Sequence, residues 1–294
     1  MTTTHPIKAG LISARRTVPR VITRPEYALT GEPKRPRKPR LIKTLDEIDR
    51  MRLAGQAAYR VLEGLRDHVV AGVSTDHLDA LAHDAYIAEG GYPSTLNYHG
   101  YPKAICTSVN EVICHGIPDS RKLVDGDIVN CDVTIFLNGM HGDCSATYLV
   151  GDVSEDSRRL VSVTNECMMK GIEVIAPGVA IREIGRAIQT HAEAHGYGVV
   201  REYVGHGIGE TFHAEPTVLH YFEPRAKTRL EAGWTFTVEP MITMGHYESA
   251  TWDDGWTVVT ADGSRTAQFE HTVLVTKTGV EILTLPVGAS QPFL

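Results

Sequence analysis

The sequence predicts an α/β domain built from two similar halves. Three observations carry this. Two helical pairs recur along the chain, and in each the first helix ends at a glycine (Gly72, Gly178) and the second at a Gly-to-Tyr turn (Gly90 to Tyr92, Gly196 to Tyr197). β-rich runs follow both pairs, two of them flanking Asn138-Gly139. The chain has 294 residues, 42% hydrophobic and 22% charged, which suits one large domain or two small ones.

The elements follow in order. Thr44 and Glu47 form a capping box. Behind it Ile48, Met51, Ala54, Ala58, Val61, Leu62 and Leu65 keep a helical period. A second helix is expected from about Asp76 to Glu89, a third from about Asp156 to Ile175 and a fourth from Ile181 to Ala194. Strands are expected over Ala104–Val109, Asp127–Leu137, Met140–Val150, Val199–Val204, Thr235–Glu239, Thr257–Thr260, Gln268–Thr276 and Val280–Leu285.

Before Thr44 the chain reads differently. Residues 1–40 hold ten Lys+Arg against two acids, and six of the fifteen prolines. The net charge of −7 therefore hides a basic arm on an acidic body. That balance excludes a nucleic-acid-binding domain overall. Gly31 to Arg40 spaces its prolines by three, which favours polyproline II. Order is expected to begin near Thr44, giving a basic Pro-rich extension over 1–43 and a catalytic domain over 44–294. The arm reads as a solvated tail, or as a docking arm for RNA, a ribosome or an SH3-like groove. On either reading, trimming residues 1–43 should leave peptide turnover intact. No run approaches the apolar length of a membrane span, and no secretory h-region is present. Five cysteines without a CxxC pair fit a reducing cytoplasm and argue against a thiolate metal site.

The most informative segment is Asp127 to Val150. If Asn138-Gly139 is a two-residue turn, Leu137 pairs with Met140, Thr134 with Asp143 and Asp132 with Ser145. Asp132 and Asp143 then share a face as diagonal neighbours, close enough to hold two metal ions about 3.5–4 Å apart. Two further acids, Glu239 and Glu270, sit inside apolar strands, and His206 lies between glycines in Gly205-His206-Gly207-Ile208-Gly209. Four carboxylates gathered without cations would repel one another and take up protons. Two divalent ions balance them, and the oxygen-rich donor set suits Mn, Fe, Co or hydrolytic Zn. The run His191-Ala-Glu193-Ala-His195 sets two histidines at i, i+4 but lacks the glutamate that HExxH needs directly after the first, and reads as a solvated helix end.

Taken in order, Asp132, Asp143, His206, Glu239 and Glu270 resemble the metal ligands of the methionine aminopeptidases. The surrounding motifs are similar too: Asn110-Glu-Val-Ile-Cys-His115-Gly-Ile-Pro-Asp119, Gly205-His-Gly-Ile-Gly209, Phe236-Thr-Val-Glu-Pro-Met241 and Gln268-Phe-Glu-His271. The resemblance spans roughly residues 44–285. The short interval between His213 and Glu239 leaves no room for the helical insertion of type II enzymes, so the type I branch is the nearer one. The basic arm resembles the extension of some bacterial type I enzymes.

The resemblance implies a pita-bread fold, two pseudo-symmetric halves around a dinuclear metal site. It implies a cytoplasmic monomer that removes initiator methionine from nascent polypeptides when the second residue is small, with no DNA or membrane partner. Asp132 would chelate one ion, Asp143 and Glu270 would bridge both, and His206 and Glu239 would complete the other. Glu239 or Glu270 would relay a proton, His213 would stabilise the oxyanion, and His115 would position the substrate backbone. Thr95, Tyr98, Tyr101, Cys106, Phe212 and Trp256 would surround the methionine side chain. Asn110, Val112 and Thr266 would hold a monovalent cation. A proline-specific peptidase of the same fold and a non-catalytic binding protein are the competing readings.

Overall fold

A computed structural model of the chain describes residues 6–34 and 40–286. Four α-helices form where the sequence predicts them: α1 Leu45–Leu65, α2 Thr75–Ala88, α3 Glu155–Glu173 and α4 Arg182–Ala194. Thr44 and Glu47 complete the capping box of α1, each satisfying a backbone N–H that the helix leaves open. All seven residues of its predicted apolar stripe are buried. Ser74 and Ser154 cap α2 and α3 with their hydroxyls.

Among the described residues, one nine-stranded antiparallel sheet runs through both halves. Its order is Tyr92–Pro93, Ile128–Leu137, Met140–Leu149, Glu270–Val275, Thr235–Val238, Gly205–Gly207, Ala214–Val218. Cys106–Val109 adds to Ile128–Leu137, and Val280–Ile282 adds to Glu270–Val275. The Asn138-Gly139 hairpin has the predicted register, including Thr134 opposite Asp143 and Asp132 opposite Ser145. Both turn residues have positive φ, 51° and 80°, as a type I′ loop demands.

The two faces of this hairpin do different things. Cys131, Val133, Ile135, Cys144 and Ala146 join the main core beneath the helices. Gly142 lets α1 come down onto the sheet: a Cβ there would lie 2.4 Å from the Ala54 backbone carbon. The opposite face carries Asp132, Thr134 and Asp143.

Several expectations need correction. The run 199–204 is strand only over Gly198–Val199; the chain bends at Arg201–Tyr203, and Glu202, Tyr203 and Val204 line a cavity. The run 268–276 is two strands, Thr266–Gln268 and Glu270–Val275, in different sheets; Phe269 marks the crossing. Short strands at Tyr92–Pro93, Val112–Cys114, Gly205–Gly207, Ala214–Val218, Met241–Thr243 and Ser249–Thr251 carried too few residues to show a period.

The largest correction concerns the arm. Order does not wait for Thr44, because residues 6–34 lie along the body. Val18 and Ile22 pack with Tyr92, Leu96 and Phe136, and Tyr27 is buried. Leu11 and Ser120 exchange hydrogen bonds, backbone to side chain and back. Ser13 Oγ accepts from the buried Lys103 ammonium at 2.7 Å, and Arg15 donates to Asn97 Oδ1 at 2.6 Å. These contacts are irregularly spaced, so neither helical nor strand periodicity announces them. The triplet-spaced prolines fall partly on residues 35–39, outside the described residues.

Candidate functional site

Five strands bring the predicted metal ligands to one place. Asp132 stands opposite Ser145, and Ser145 stands opposite Glu270 across the next pair of strands. Asp143 lies in the adjacent row, opposite Thr134. Strand Thr235–Val238 pairs with Glu270–Val275 on one side and Gly205–Gly207 on the other, delivering Glu239 at its end and His206 beside it. Gly207 is required by a close approach, since a Cβ there would lie 1.8 Å from the Glu215 carbonyl oxygen. Pro240 stops the strand, so the Glu239 side chain is not needed for further pairing.

The geometry is that of a converged donor set. Donor atoms of Asp143, His206 and Glu270 all lie within 4.8 Å of one another. His206 Nε2 is 3.7 Å from Asp143 Oδ2 and 3.6 Å from Glu239 Oε1. His206 Nδ1 faces the Gly207 carbonyl at 3.2 Å, which leaves Nε2 to face the carboxylates as a ligand would. Neutral donors orient the acids: Thr134 Oγ1 to Asp143 at 2.7 Å, Thr237 Oγ1 to Glu239 at 2.6 Å, Gln268 Nε2 to Glu239 at 3.3 Å. Glu270 Oε1 is buried with no hydrogen-bond partner among the described residues.

The electrostatics point the same way. Burial pushes Asp132, Asp143, Glu239 and Glu270 above the ordinary carboxylate range, and their mutual repulsion raises Asp143 and Glu270 further. Burial also holds His206 down, to about 4, so its imidazole is neutral and free to ligate. Buried carboxylates with nothing cationic facing them are costly. An orphaned carboxylate oxygen, four like charges and a neutral imidazole form a donor set that fits two divalent cations. Cys106 and Cys114 sit nearby, but burial raises both thiols well above their usual range and keeps them protonated.

A cavity of about 350 Å3 opens beside these donors. Every predicted catalytic, substrate-binding and metal-ligating residue lines it: Thr95, Tyr98, Tyr101, Cys106, His115, Asp132, Asp143, His206, Phe212, His213, Glu239, Trp256 and Glu270. Tyr98 packs against Phe212, with ring centroids 4.9 Å apart, and Tyr101 meets Trp256 edge-on at 5.0 Å. Tyr98 Oη lies 2.9 Å from His213 Nδ1. His115 adopts φ 58° and packs edge-on to Tyr203 and Trp256. Thr95 turns its hydroxyl to the Ala104 carbonyl at 2.6 Å, so it adds no free donor to the pocket. Asn110 and Thr266 are adjacent, the Thr266 N–H donating to the Asn110 carbonyl at 2.9 Å.

Sequence reasoning missed several neighbours. Tyr203 and Gln268 line the cavity from runs that read as plain strand, and Met241 lines it from a strand too short to show a period. Tyr27 reaches the site from the arm: it meets Tyr98 edge-on at 5.0 Å and donates to the Ser94 carbonyl at 2.6 Å. Nothing in its local sequence marks it. His220 supports Glu239 by accepting its backbone N–H at 3.1 Å.

Comparison with known proteins identifies this architecture. The model of metallopeptidase family M24 matches residues 49–277. The chain is 52% identical to methionine aminopeptidase 1A of Arabidopsis thaliana, over 98% of this chain and 73% of that protein. It is 50% identical to methionine aminopeptidase 2 of Mycobacterium tuberculosis, over 95% of this chain and 97% of that one. The crystal structure of methionine aminopeptidase from Rickettsia prowazekii superposes with a TM-score of 0.82 at 50% identity, covering 83% of this chain and 99% of that one. The prolidase of Pyrococcus furiosus shares the fold alone, with a TM-score of 0.68 at 21% identity, and this chain covers 66% of it. With its pita-bread sheet, its converged carboxylates and these relatives, the chain belongs to the methionine aminopeptidases of metallopeptidase family M24.

Proposed function

We propose that the protein releases N-terminal methionine from nascent polypeptides whose second residue is small. The observation that carries this reading is the convergence of three buried carboxylates, the half-buried Asp132 and the His206 imidazole on one aromatic-lined cavity. Asp132, Asp143, His206, Glu239 and Glu270 would hold two divalent ions of the Mn, Fe, Co or Zn class. When bound, such ions supply Lewis acidity and make a water nucleophile available near neutral pH.

The chain's own groups do the rest. Tyr98 Oη, 2.9 Å from His213 Nδ1, would donate there and leave the ring proton on Nε2. That nitrogen donates to the scissile carbonyl and then, more strongly, to the developing oxyanion. Glu239 is held by Thr237 and Gln268, so its carboxylate takes the proton of the attacking water and passes it to the departing amine. His115 is kept neutral by burial, its pKa lowered to about 4, and orients the substrate backbone. Tyr98, Tyr101, Cys106, Phe212 and Trp256 offer the methionine thioether an apolar, polarizable wall. A monovalent cation at Asn110, Val112 and Thr266 would stiffen the crossing between the halves.

The type I assignment rests on the short His213–Glu239 connection. The remaining proposals are a monomer in the cytoplasm, with ribosome contact through exposed basic residues of the arm such as Lys8 and Arg20. Salt-sensitive co-sedimentation with ribosomes tests that contact. The test of the reaction is methionine release from Met-Ala-Ser by metal-stripped protein, before and after adding Mn or Co, beside an Xaa-Pro peptide. Metal-dependent release of methionine without Xaa-Pro cleavage is expected. No turnover with any metal, in folded protein, overturns the reading.

A further inference from the structure

A second group of potential ligands lies outside the cavity, on the helix pair of the second half. His191 and His195 occupy adjacent turns of α4 and its C-terminal end, and Glu166 faces them from α3. One donor atom from each lies within 4.8 Å of the others, and none of the three lines the substrate cavity. His191 Nε2 is 2.8 Å from Glu166 Oε2, and the two imidazole centroids are 4.6 Å apart.

The partners of these side chains matter more than their proximity. His195 Nδ1 lies 2.9 Å from the His191 carbonyl, the bond that fixes an imidazole tautomer with a bare lone pair on Nε2. Ser162 Oγ donates to Glu166 Oε1 at 3.2 Å, leaving Oε2 for the histidines. Both imidazoles are half-buried, so neither is a freely waving surface group. The site also sits where α4 ends, and the helix's last carbonyls favour a cation there. The run fails as a catalytic HExxH motif because Glu193 falls one place late, yet it keeps the i, i+4 histidine pair and gains a third donor from the neighbouring helix.

We propose that Glu166, His191 and His195 form a separate divalent-metal site that clamps α3 to α4. Two imidazoles and one carboxylate suit zinc or nickel better than magnesium or calcium. Binding replaces the proton that His191 Nε2 shares with Glu166, and that proton leaves to solvent. Zinc with bonds of about 2.0–2.2 Å sets its donors roughly 3.3–3.6 Å apart, so side-chain rotations of under about 1 Å close the site. A fourth position stays open to water.

The test uses the full chain and zinc itself. Protein is dialysed against zinc and the bound metal counted by mass spectrometry, for wild type, His191→Asn and His195→Asn. The wild type is expected to hold one more zinc per chain than either variant. Zinc should raise its melting temperature by more than it raises theirs. Methionine release should be the same in all three, which separates this site from the catalytic one. Glu166→Gln, which leaves α4 untouched and removes one of the three ligands, should lower the extra zinc content below that of the wild type. Equal zinc content in wild type and both histidine variants, or an extra zinc that Glu166→Gln does not lower, overturns the proposal.

Discussion

The hydroxyl of Tyr98 shows how much a single contact can decide. It lies 2.9 Å from His213 Nδ1, and in the proposed mechanism it donates there and leaves the ring proton on Nε2. Tyr98→Phe keeps the aromatic wall and removes that donor. Its kcat on a methionyl peptide should fall about tenfold, corresponding to about 1.4 kcal/mol, with little change in KM. A raised KM with kcat unchanged would assign Tyr98 to binding alone. The carboxylates make a prediction about metal removal. In stripped protein their raised pKa values mean that the folded state holds protons the unfolded chain has released. Stability then falls as pH rises through this window. Scanning calorimetry with a chelator should show the melting temperature dropping between about pH 4, the ordinary carboxylate range, and about 7 to 8, where Asp132 and Glu239 titrate, and added metal should reverse most of the drop. A melting temperature that rises with pH in the chelator would contradict the geometry.

At the scale of elements, glycines mark where one element meets another. Gly142→Ala would push strand Met140–Leu149 into the α1 backbone and should cost about 1–3 kcal/mol, read from denaturant unfolding. The arm is the second case. Its residues touch the segment that carries Thr95, Tyr98 and Tyr101: Arg15 holds Asn97, the Asn97 side chain donates to the Ala28 carbonyl at 3.0 Å, and Tyr27 props Tyr98. Asn97 and His99 both have positive φ, so this segment relies on such support. Removing residues 1–34 should therefore lower kcat/KM, against the sequence-based expectation of intact turnover. Tyr27→Leu should reproduce part of the loss while Arg20→Ala does not. What was legible follows from periodicity and turn chemistry. The α1 stripe, the Asn138-Gly139 register and the five acidic or imidazole donors all announce themselves within a few residues. Tyr27, Tyr203 and Gln268 do not, because their roles depend on partners far along the chain.

The whole molecule explains why the donors must come from so many places. A flat sheet face cannot surround an ion, whereas a curled sheet contributed by both halves can. The helices on its outer face seal the core, so the carboxylates are covered from behind and reached through the cavity. The same shell sets the fold apart from its activity: the prolidase of Pyrococcus furiosus shares the fold at 21% identity, and selectivity is proposed to lie with cavity-lining side chains such as Tyr98, Phe212 and Trp256.

Strand Glu270–Val275 sits between Met140–Leu149 and Thr235–Val238, yet it supplies the last of the donors in chain order. While this protein is itself being synthesised, its first four donors exist without the strand that joins them. A stalled or prematurely ended copy is then silent, rather than a loose peptidase among half-made chains. Placing the keystone late lets an enzyme that handles newborn proteins complete its own assembly before it can act on any other.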